Sequence, residues 1–386
     1  MVSPDYEEKS LVNLMSSVLR SIGADSPYEP LPSLDIQGLK EKRNIVLLIL
    51  DGLGYEYLKE KGKDTILNEH LEEKLTSVFP SSTASAIPTL FTGLAPQEHA
   101  VTGWYTLIKE LGVVSTILPF EPRFGGECLS ESEVDIDSIL SYEPLMKEVP
   151  RKRYDVTLKK LKDSAFNSFY ARGLERKGYS SLKEMFEVLE RLLKEEERKF
   201  IRAYWNGFDA AAHEDGINSD SAARHFLAIE HRLREFVERI DQTSTTLLVT
   251  SDHGFIDTEK ERALRLKDHP SFKRCLTLPF CGDHRTVFCY VRPSRTEEFE
   301  NYWEDNLRDF CELHKSEDLV EKDYFGLFEP NPDLHDRIGD YTLVMKDDYI
   351  FYDTLQNEEE HFMVGNHGGT SEKEMYVPLS VFKYRD

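Results

Sequence analysis

The sequence predicts an α/β protein built on a mostly parallel central sheet flanked by helices, with a smaller α+β insertion. Three observations carry that expectation. Asn44-Ile-Val-Leu-Leu-Ile-Leu50 is an apolar, partly β-branched run bounded by Asp51-Gly52, which reads as a central strand buried on both faces. Amphipathic helical segments alternate with short apolar strands through the middle of the chain. The strands end in acidic residues, Asp51, Asp209 and Asp252, at the edge where open α/β sheets build their sites.

Taken in order, Lys9–Ile22 places Leu11, Val12, Leu14, Met15, Val18, Leu19 and Ile22 on one helical face and stops at Gly23. We expect a helix packed on the exterior of the domain. The Pro-containing link Ser26–Pro32 leads to the first strand. Residues Leu94–Trp104 and Thr106–Phe120 read as irregular with short strands, and Pro119, Pro122, Gly125 and Gly126 mark a loop that could wall a pocket. Leu182–Glu197 is an amphipathic helix with a solvated charged face. It feeds the strand Phe200–Tyr204, and a second helix, Ser219–Ile240, precedes the strand Thr245–Thr250.

Residues 266–360 carry short alternating strands (Thr286–Val291), an acidic helix (Glu297–His314) and loops rich in Pro and Asp. They read as a cap-like subdomain inserted into a single domain spanning 1–386. The core resumes at Gly365 and closes with the strand Tyr376–Phe382. No internal repeat is present.

Length and composition narrow the class. A chain of 386 residues with 40% hydrophobic and 11% aromatic content can bury a sizeable core. Its 71 acidic against 48 basic residues give a formal charge of -23, which argues against a nucleic-acid polymer or an anionic membrane surface as partner. A small phosphate ester remains compatible, because bound cations would invert the local potential. The N-terminal residues lack the basic-then-apolar pattern of a signal peptide, and no segment approaches a membrane span. Five cysteines (Cys128, Cys275, Cys281, Cys289, Cys311), an odd number without CxxC spacing, read as reduced thiols of a cytoplasmic protein.

The stretch Ser77-Val-Phe-Pro-Ser-Ser-Thr83-Ala-Ser-Ala-Ile-Pro-Thr-Leu-Phe-Thr-Gly93 organises the chemistry. Pro80 holds the residue before it extended, so a strand or loop should end there. The Ser/Thr cluster that follows looks like a helix start, where orphan backbone N–H groups favour an anion. A hydroxyl at Thr83 is then well placed to attack phosphorus; a plain N-cap is the competing reading of this stretch alone.

The remaining motifs supply metal ligands. Asp209-Ala-Ala-Ala-His213 sets a carboxylate and an imidazole at i and i+4, on one side of a helix. Asp252-His253 sits at a strand end, where adjacent side chains diverge and reach one or two cations. His367 lies in the glycine-rich loop Gly365-Asn-His-Gly-Gly369. This mix of carboxylate and imidazole suits zinc better than magnesium, with manganese the alternative. Two divalent ions about 4 Å apart would activate the hydroxyl and stabilise the leaving oxygen.

In this order, Asp51, Phe-Pro-Ser-Ser-Thr83 with Thr92-Gly93, Asp209-x-x-x-His213, Asp252-His253-Gly254 and His367-Gly368 resemble the alkaline phosphatase superfamily. The chain looks most like the type I phosphodiesterase/nucleotide pyrophosphatase branch, over most of residues 42–265 and 362–382. The resemblance implies an alkaline phosphatase-like fold. It implies one metal on Asp209, His213 and His367, and a second on Asp51, Asp252, His253 and the Thr83 oxygen. It also implies two in-line displacements through a phospho-Thr83 intermediate.

Two departures bear on substrate. Members of the branch often carry an Asn about twenty residues past the nucleophile; here that position falls at Gly103-Trp104, and the Trp104 indole N–H can only donate. Ala84-Ser85-Ala86 is smaller than the pattern of nucleotide-hydrolysing members. Arg285, in Gly282-Asp-His-Arg285, either clamps a phosphate oxygen or forms an ion pair with Asp283 or Asp340. His99, His269, His284 and His361 read as packing or capping residues, and Tyr204, Trp205 and Phe208 as core, with walls of the site beside Asp209 the alternative.

The expected activity is therefore hydrolysis of phosphodiester or phosphoanhydride bonds in a small phosphate ester or nucleotide-derived substrate. A phosphomonoesterase and a non-catalytic metal-binding scaffold are the alternatives. A sulfatase is disfavoured, since the nucleophile region holds no Cys and no Cys/Ser-x-Pro-x-Arg pattern. Oligomeric state leaves no trace in the sequence.

Overall fold

The computed structural model describes residues 1–140, 149–240, 243–356, 358–360 and 362–384. Its centre is a seven-stranded sheet in the order Leu71–Thr76, Tyr376–Lys383, Thr245–Thr250, Asn44–Leu50, Lys199–Trp205, Lys152–Leu158, Glu175–Tyr179. The last five of these pair in parallel. Tyr376–Lys383 runs antiparallel between its two neighbours.

The expected central strand lies between Lys199–Trp205 and Thr245–Thr250 and is buried along its whole length. Alternation then splits its side chains between two cores. Ile45, Leu47 and Ile49 face the helices Leu11–Ile22 and Thr83–Thr92, while Val46, Leu48 and Leu50 face Leu182–Lys194 and Asp220–Ile240. Because all parallel strands point one way, their C-terminal ends meet along one edge.

Several expectations change. The helix Leu11–Ile22 is not an exterior helix: every residue but Arg20 is buried. The link after it folds back over its polar side, where Ser16 donates to the Tyr28 carbonyl and Asn13 to that of Glu29. The acidic helix expected to reach His314 spans Thr296–Asn306; Cys311–Lys315 is instead a strand paired with Tyr341–Met345. Antiparallel pairing there overrides a charged, helix-compatible sequence. The strands Lys152–Leu158 and Glu175–Tyr179, absent from the sequence reading, complete one side of the sheet, and the first hides Asp155 against Arg202 at 2.7 Å.

A second seven-stranded sheet, antiparallel throughout, runs Cys311–Lys315, Tyr341–Met345, Thr286–Cys289, Cys281–Gly282, Tyr105–Ile108, Val113–Thr116, Glu121–Pro122. It is wider than the 266–360 segment, because residues 105–122 supply three of its strands. The loop of Pro119, Pro122, Gly125 and Gly126 forms its edge. Phe79, just before the nucleophile stretch, packs in one cluster with Phe288, Phe325 and Ile338, so the two layers meet beside Thr83. No described helix is long and apolar enough to cross a membrane.

Candidate metal centre and nucleophile

The strand Leu71–Thr76 ends, the chain turns through Phe79-Pro80, and a helix begins at Thr83 and runs to Thr92. Thr83 is thus the first helical residue rather than the cap; Ser82 occupies the cap with extended geometry and makes no side-chain cap bond. Ser85 and Ala86 donate their N–H groups back to the Ser82 carbonyl. The N–H groups ahead of them are the orphan donors of a helix start, held beside the Thr83 hydroxyl.

The three strand-end acids converge on that hydroxyl. Asp51 follows Asn44–Leu50 and is pinned by its N–H to the Trp205 carbonyl at 2.9 Å. Asp209 opens the short helix Gly207–Asp215, which places His213 one turn on with Nε2 3.4 Å from Asp209 Oδ1. Asp252 and His253 follow Thr245–Thr250 and are fully buried. Gly254 is required beside them: a Cβ there would lie 2.0 Å from the Lys373 carbonyl and 2.8 Å from Gly54 Cα. His367 comes in on its loop from the opposite side, its ring stacked 3.7 Å from that of His253.

Tautomers follow from the backbone. Nδ1 of His213 faces the Gly365 carbonyl at 2.9 Å, that of His253 the Gly254 carbonyl at 3.1 Å, and that of His367 the Ser81 carbonyl at 3.3 Å. A carbonyl only accepts, so each Nδ1 carries the proton and each Nε2 presents a lone pair inward. The Thr83 hydroxyl donates to His253 Nε2 at 3.0 Å. His213 Nε2 and His367 Nε2 lie 3.2 Å apart, two lone pairs face to face. That contact is repulsive unless a cation joins them, and the spacing is about what two imidazoles span on one tetrahedral ion.

The carboxylates point to the same conclusion. Asp51 Oδ1, Asp209 Oδ1 and Asp252 Oδ2 are buried without a hydrogen-bond partner. Their other contacts orient them: Tyr204 donates to Asp51 Oδ2, and the Gly52 and His253 N–H groups donate to Asp252 Oδ1 at 3.1 Å each. Burial, then the charges of Asp209 and Asp252, push the Asp51 carboxyl well above its usual range, and burial raises Asp209 as well. Burial and the neighbouring His253 and His213 hold His367 well below its usual value, neutral. Crowded carboxylates and imidazoles with no Lys or Arg paired to them among the described residues are the chemistry of a metal site.

Two overlapping donor sets can be drawn, Asp51 with Asp252 and His253, and Asp209 with His253 and His367. His213 stands slightly outside the second, within 3.2 Å of its His367 nitrogen. His253 reaches both sets, with Nε2 3.4 Å from Asp51 Oδ1 and 3.6 Å from Asp252 Oδ2. The first set is sealed from solvent, whereas Thr83, Asp209, His213 and His367 are only partly covered, so the mouth of the site lies on their side.

The two expected substrate residues fare differently. Trp104 lies at the rim, 37% exposed, with its backbone N–H donated to Asp283. Arg285 does not clamp a phosphate: it is buried, and its guanidinium is spent on Glu374 and on the carbonyls of Lys346 and Tyr349. The ion-pair alternative is the right one, but the partner is neither Asp283 nor Asp340. The partner is Glu374, fully buried behind the His367 loop and bound through both of its oxygens.

Tyr204 is buried and orients Asp51, which joins the core reading to the site-wall alternative. Glu374 and Ser81, not singled out by the sequence, bind the backbone of the His367 loop. The signal for Glu374 was the capping pattern Ser371-Glu-Lys-Glu374. His99 is a packing residue, buried beside Thr89 and held down to about 3 by burial; His269 bonds Tyr302. His284 is half-buried, its ring 5.6 Å from that of Tyr352, and burial with the Arg123 and His213 charges lowers it to about 4. His361 lies outside the described residues.

A model of the type I phosphodiesterase / nucleotide pyrophosphatase family matches residues 45–370. Among solved structures, the fold is similar to that of murine ectonucleotide pyrophosphatase/phosphodiesterase 5, at 16% identity over 88% of each chain with a TM-score of 0.65. The human form is similar at 17% identity over 88% of this chain and 87% of that one, TM-score 0.65. Phosphonoacetate hydrolase from Sinorhizobium meliloti, in complex with phosphonoformate, is similar at 17% identity over 89% of this chain and 91% of that one, TM-score 0.63.

Proposed function

This chain belongs to the type I phosphodiesterase/nucleotide pyrophosphatase family and is a phosphoric ester hydrolase of that kind, and from that premise we propose a metal-dependent mechanism through phospho-Thr83. The substrate is a small phosphodiester or phosphoanhydride. The observation that carries the reading is the Thr83 hydroxyl, 3.0 Å from His253 Nε2, at a helix start beside three unpartnered carboxylate oxygens.

The donors fit two divalent cations, zinc by their chemistry: Asp209, His213 and His367 for one, Asp51, Asp252, His253 and Thr83 for the other. When bound, such ions supply charge neutralisation and lower the pKa of a hydroxyl or water. The chain's own residues do the rest. The helix start holds the Thr83 hydroxyl at the mouth of the site, and the orphan N–H groups of its first turn face a phosphoryl oxygen. Thr83 releases its hydroxyl proton to solvent as Oγ1 attacks phosphorus, the Oγ1–P bond forms and the bond to the leaving oxygen breaks; that oxygen takes a proton from solvent. Water then attacks phosphorus from the vacated side and loses a proton to solvent, the Oγ1–P bond breaks, and Thr83 Oγ1 takes up a proton to restore the hydroxyl. A threonine-to-alanine variant of the murine relative is described as inactive and was solved with AMP, which supports the role given to Thr83.

Five free cysteines, four of them buried, support a reducing, cytoplasmic setting. The deciding experiment compares initial rates on bis-p-nitrophenyl phosphate and p-nitrophenyl phosphate with zinc added, for wild type and Thr83→Ala. Diester turnover that vanishes in the variant is the expected result. Preference for the monoester would move the assignment to a phosphatase, and no turnover of either would remove the catalytic reading.

A further inference from the structure

The end of the central sheet opposite the metal centre carries a charge pattern that the catalytic residues do not use. Three basic segments, Lys40-Glu-Lys-Arg43, Arg151-Lys152 and Arg198-Lys199, lie far apart in the chain. They open the parallel strands Asn44–Leu50, Lys152–Leu158 and Lys199–Trp205, whose first residues Asn44, Lys152 and Lys199 are register partners. Pairing therefore gathers the basic residues at one edge, roughly 20 Å from Asp51 along the strand Asn44–Leu50. An open recess of about 540 Å³ lies there, lined by Gln37, Lys40, Glu41, Arg43, Arg198 and Ser244. That volume is in the range of small-molecule sites.

Part of the charge is paired. Lys152 meets Glu197 at 2.6 Å, and the buried Lys199 donates to the carbonyls of Glu195 and Glu197. The three guanidiniums differ. Arg151, buried, donates to the carbonyls of Arg43 at 3.0 Å and Lys40 at 3.1 Å. Arg198 donates to the carbonyls of Lys40 and Lys42, and Arg43 to those of Leu193 and Thr243. Carbonyls fix the direction of a guanidinium but leave its charge in place. None of the three meets a carboxylate among the described residues. Burial, then the charge of Arg198, lowers Arg151 to about 10, as crowding of uncompensated cations should.

Donors remain open towards the recess. Lys40 and Arg198 are exposed, and Lys40 Nζ, Arg43 Nη1 and Arg198 Nη1 hold no hydrogen bond among the described residues. Two guanidiniums and an ammonium around one recess suit a dianion with several oxygens better than a single carboxylate. An extended polyanion is disfavoured, because Glu41 and the exposed Glu195, Glu196 and Glu197 flank the recess on a chain of charge -23.

We propose that this recess binds a small phosphate-bearing anion, free phosphate or a phosphate monoester, through Lys40, Arg43 and Arg198. The site is separate from the phosphodiesterase reading, since none of its residues belongs to the metal-donor sets.

The test is equilibrium dialysis of the zinc-loaded full chain against inorganic phosphate and, separately, ethyl phosphate, for wild type and the double variant Lys40→Gln with Arg198→Gln. Wild type should bind one anion per chain that the double variant holds at least about tenfold more weakly, the worth of a lost charge-assisted bond. The variant should keep its zinc, and its rate on bis-p-nitrophenyl phosphate should stay within about twofold, as expected for distant sites. Tighter ethyl phosphate names a monoester as the ligand and tighter inorganic phosphate names the free ion; either supports the site. Equal binding by wild type and double variant overturns the proposal. Loss of the anion together with zinc also overturns it, by placing that anion at the metal centre. Displacement by an equal concentration of chloride overturns it too, by reducing the effect to general screening. Should the double variant fail to fold, Lys40→Gln alone decides, because that ammonium holds nothing in the fold. Affinity about threefold lower is then expected, and unchanged affinity counts against the proposal.

Discussion

Arg285 and Glu374, 89 positions apart in the chain, form a fully buried bidentate ion pair, with Nε to Oε1 at 3.0 Å and Nη2 to Oε2 at 2.9 Å. Burial alone would raise the Glu374 carboxyl, but the Arg285 guanidinium beside it holds it below the usual range. The same carboxylate accepts the Gly369 N–H at 2.8 Å and the Ser371 hydroxyl at 2.6 Å. Thr286, next to Arg285, donates to the Gly368 carbonyl at 2.6 Å. The second sheet therefore holds the loop that delivers His367 to the site.

Breaking this pair should cost stability and metal together. Glu374→Gln leaves a buried guanidinium without its charge partner, a loss of about 3–5 kcal/mol. Denaturant unfolding should show that loss, and metal analysis should show a lowered content as His367 is freed. Undiminished metal binding in a destabilised protein would detach the pair from the site.

Thr83→Ala should lower kcat by at least about a thousandfold, because no other group replaces an attacking hydroxyl. Melting temperature should stay close to wild type, since alanine suits a first helical position. The same variant should fail to trap a phosphoenzyme in acid quench, which wild type should yield.

Chelation should abolish activity, and added zinc should restore it, with about two ions per chain by elemental analysis. His213→Ala should reduce that number towards one, because it removes a donor from the open set alone. Metal at a thousandfold over its dissociation constant should stabilise the fold by about 4 kcal/mol. A loaded protein that melts no higher than the stripped one would contradict this.

Glu98 gives a pH prediction away from the site. Burial pushes its carboxyl from 4.5 up to about 7, against hydrogen bonds from the Ala95 N–H and the Tyr28 hydroxyl. Between about pH 4.5 and 7 the folded state keeps a proton that the unfolded chain has lost. Its contribution to stability is full below that window and falls as pH rises through it, by no more than about 1.4 kcal/mol per pH unit. Glu98→Gln should flatten this part of the stability profile, as read from urea midpoints across the window.

The candidate metal donors and nucleophile that the fold brings together were legible in the sequence because each is encoded over a few residues. Asp51 follows an apolar run, Asp209 and His213 are one helical turn apart, Asp252 and His253 are adjacent, and Thr83 follows a proline and two serines. A parallel sheet then gathers such strand ends along one edge whatever lies between them, so local motif and fold class together suffice. What the sequence could not settle depends on pairs distant in the chain. The partner of Arg285, the carboxylate of Asp283 beside Trp104, and the burial of Leu11–Ile22 all wait on how the second layer and the N-terminal link dock. Charge alone offered Arg285 nearer carboxylates than Glu374. Which carboxylate the folded chain brings against the guanidinium, a contact 89 positions apart, is something no local pattern encodes.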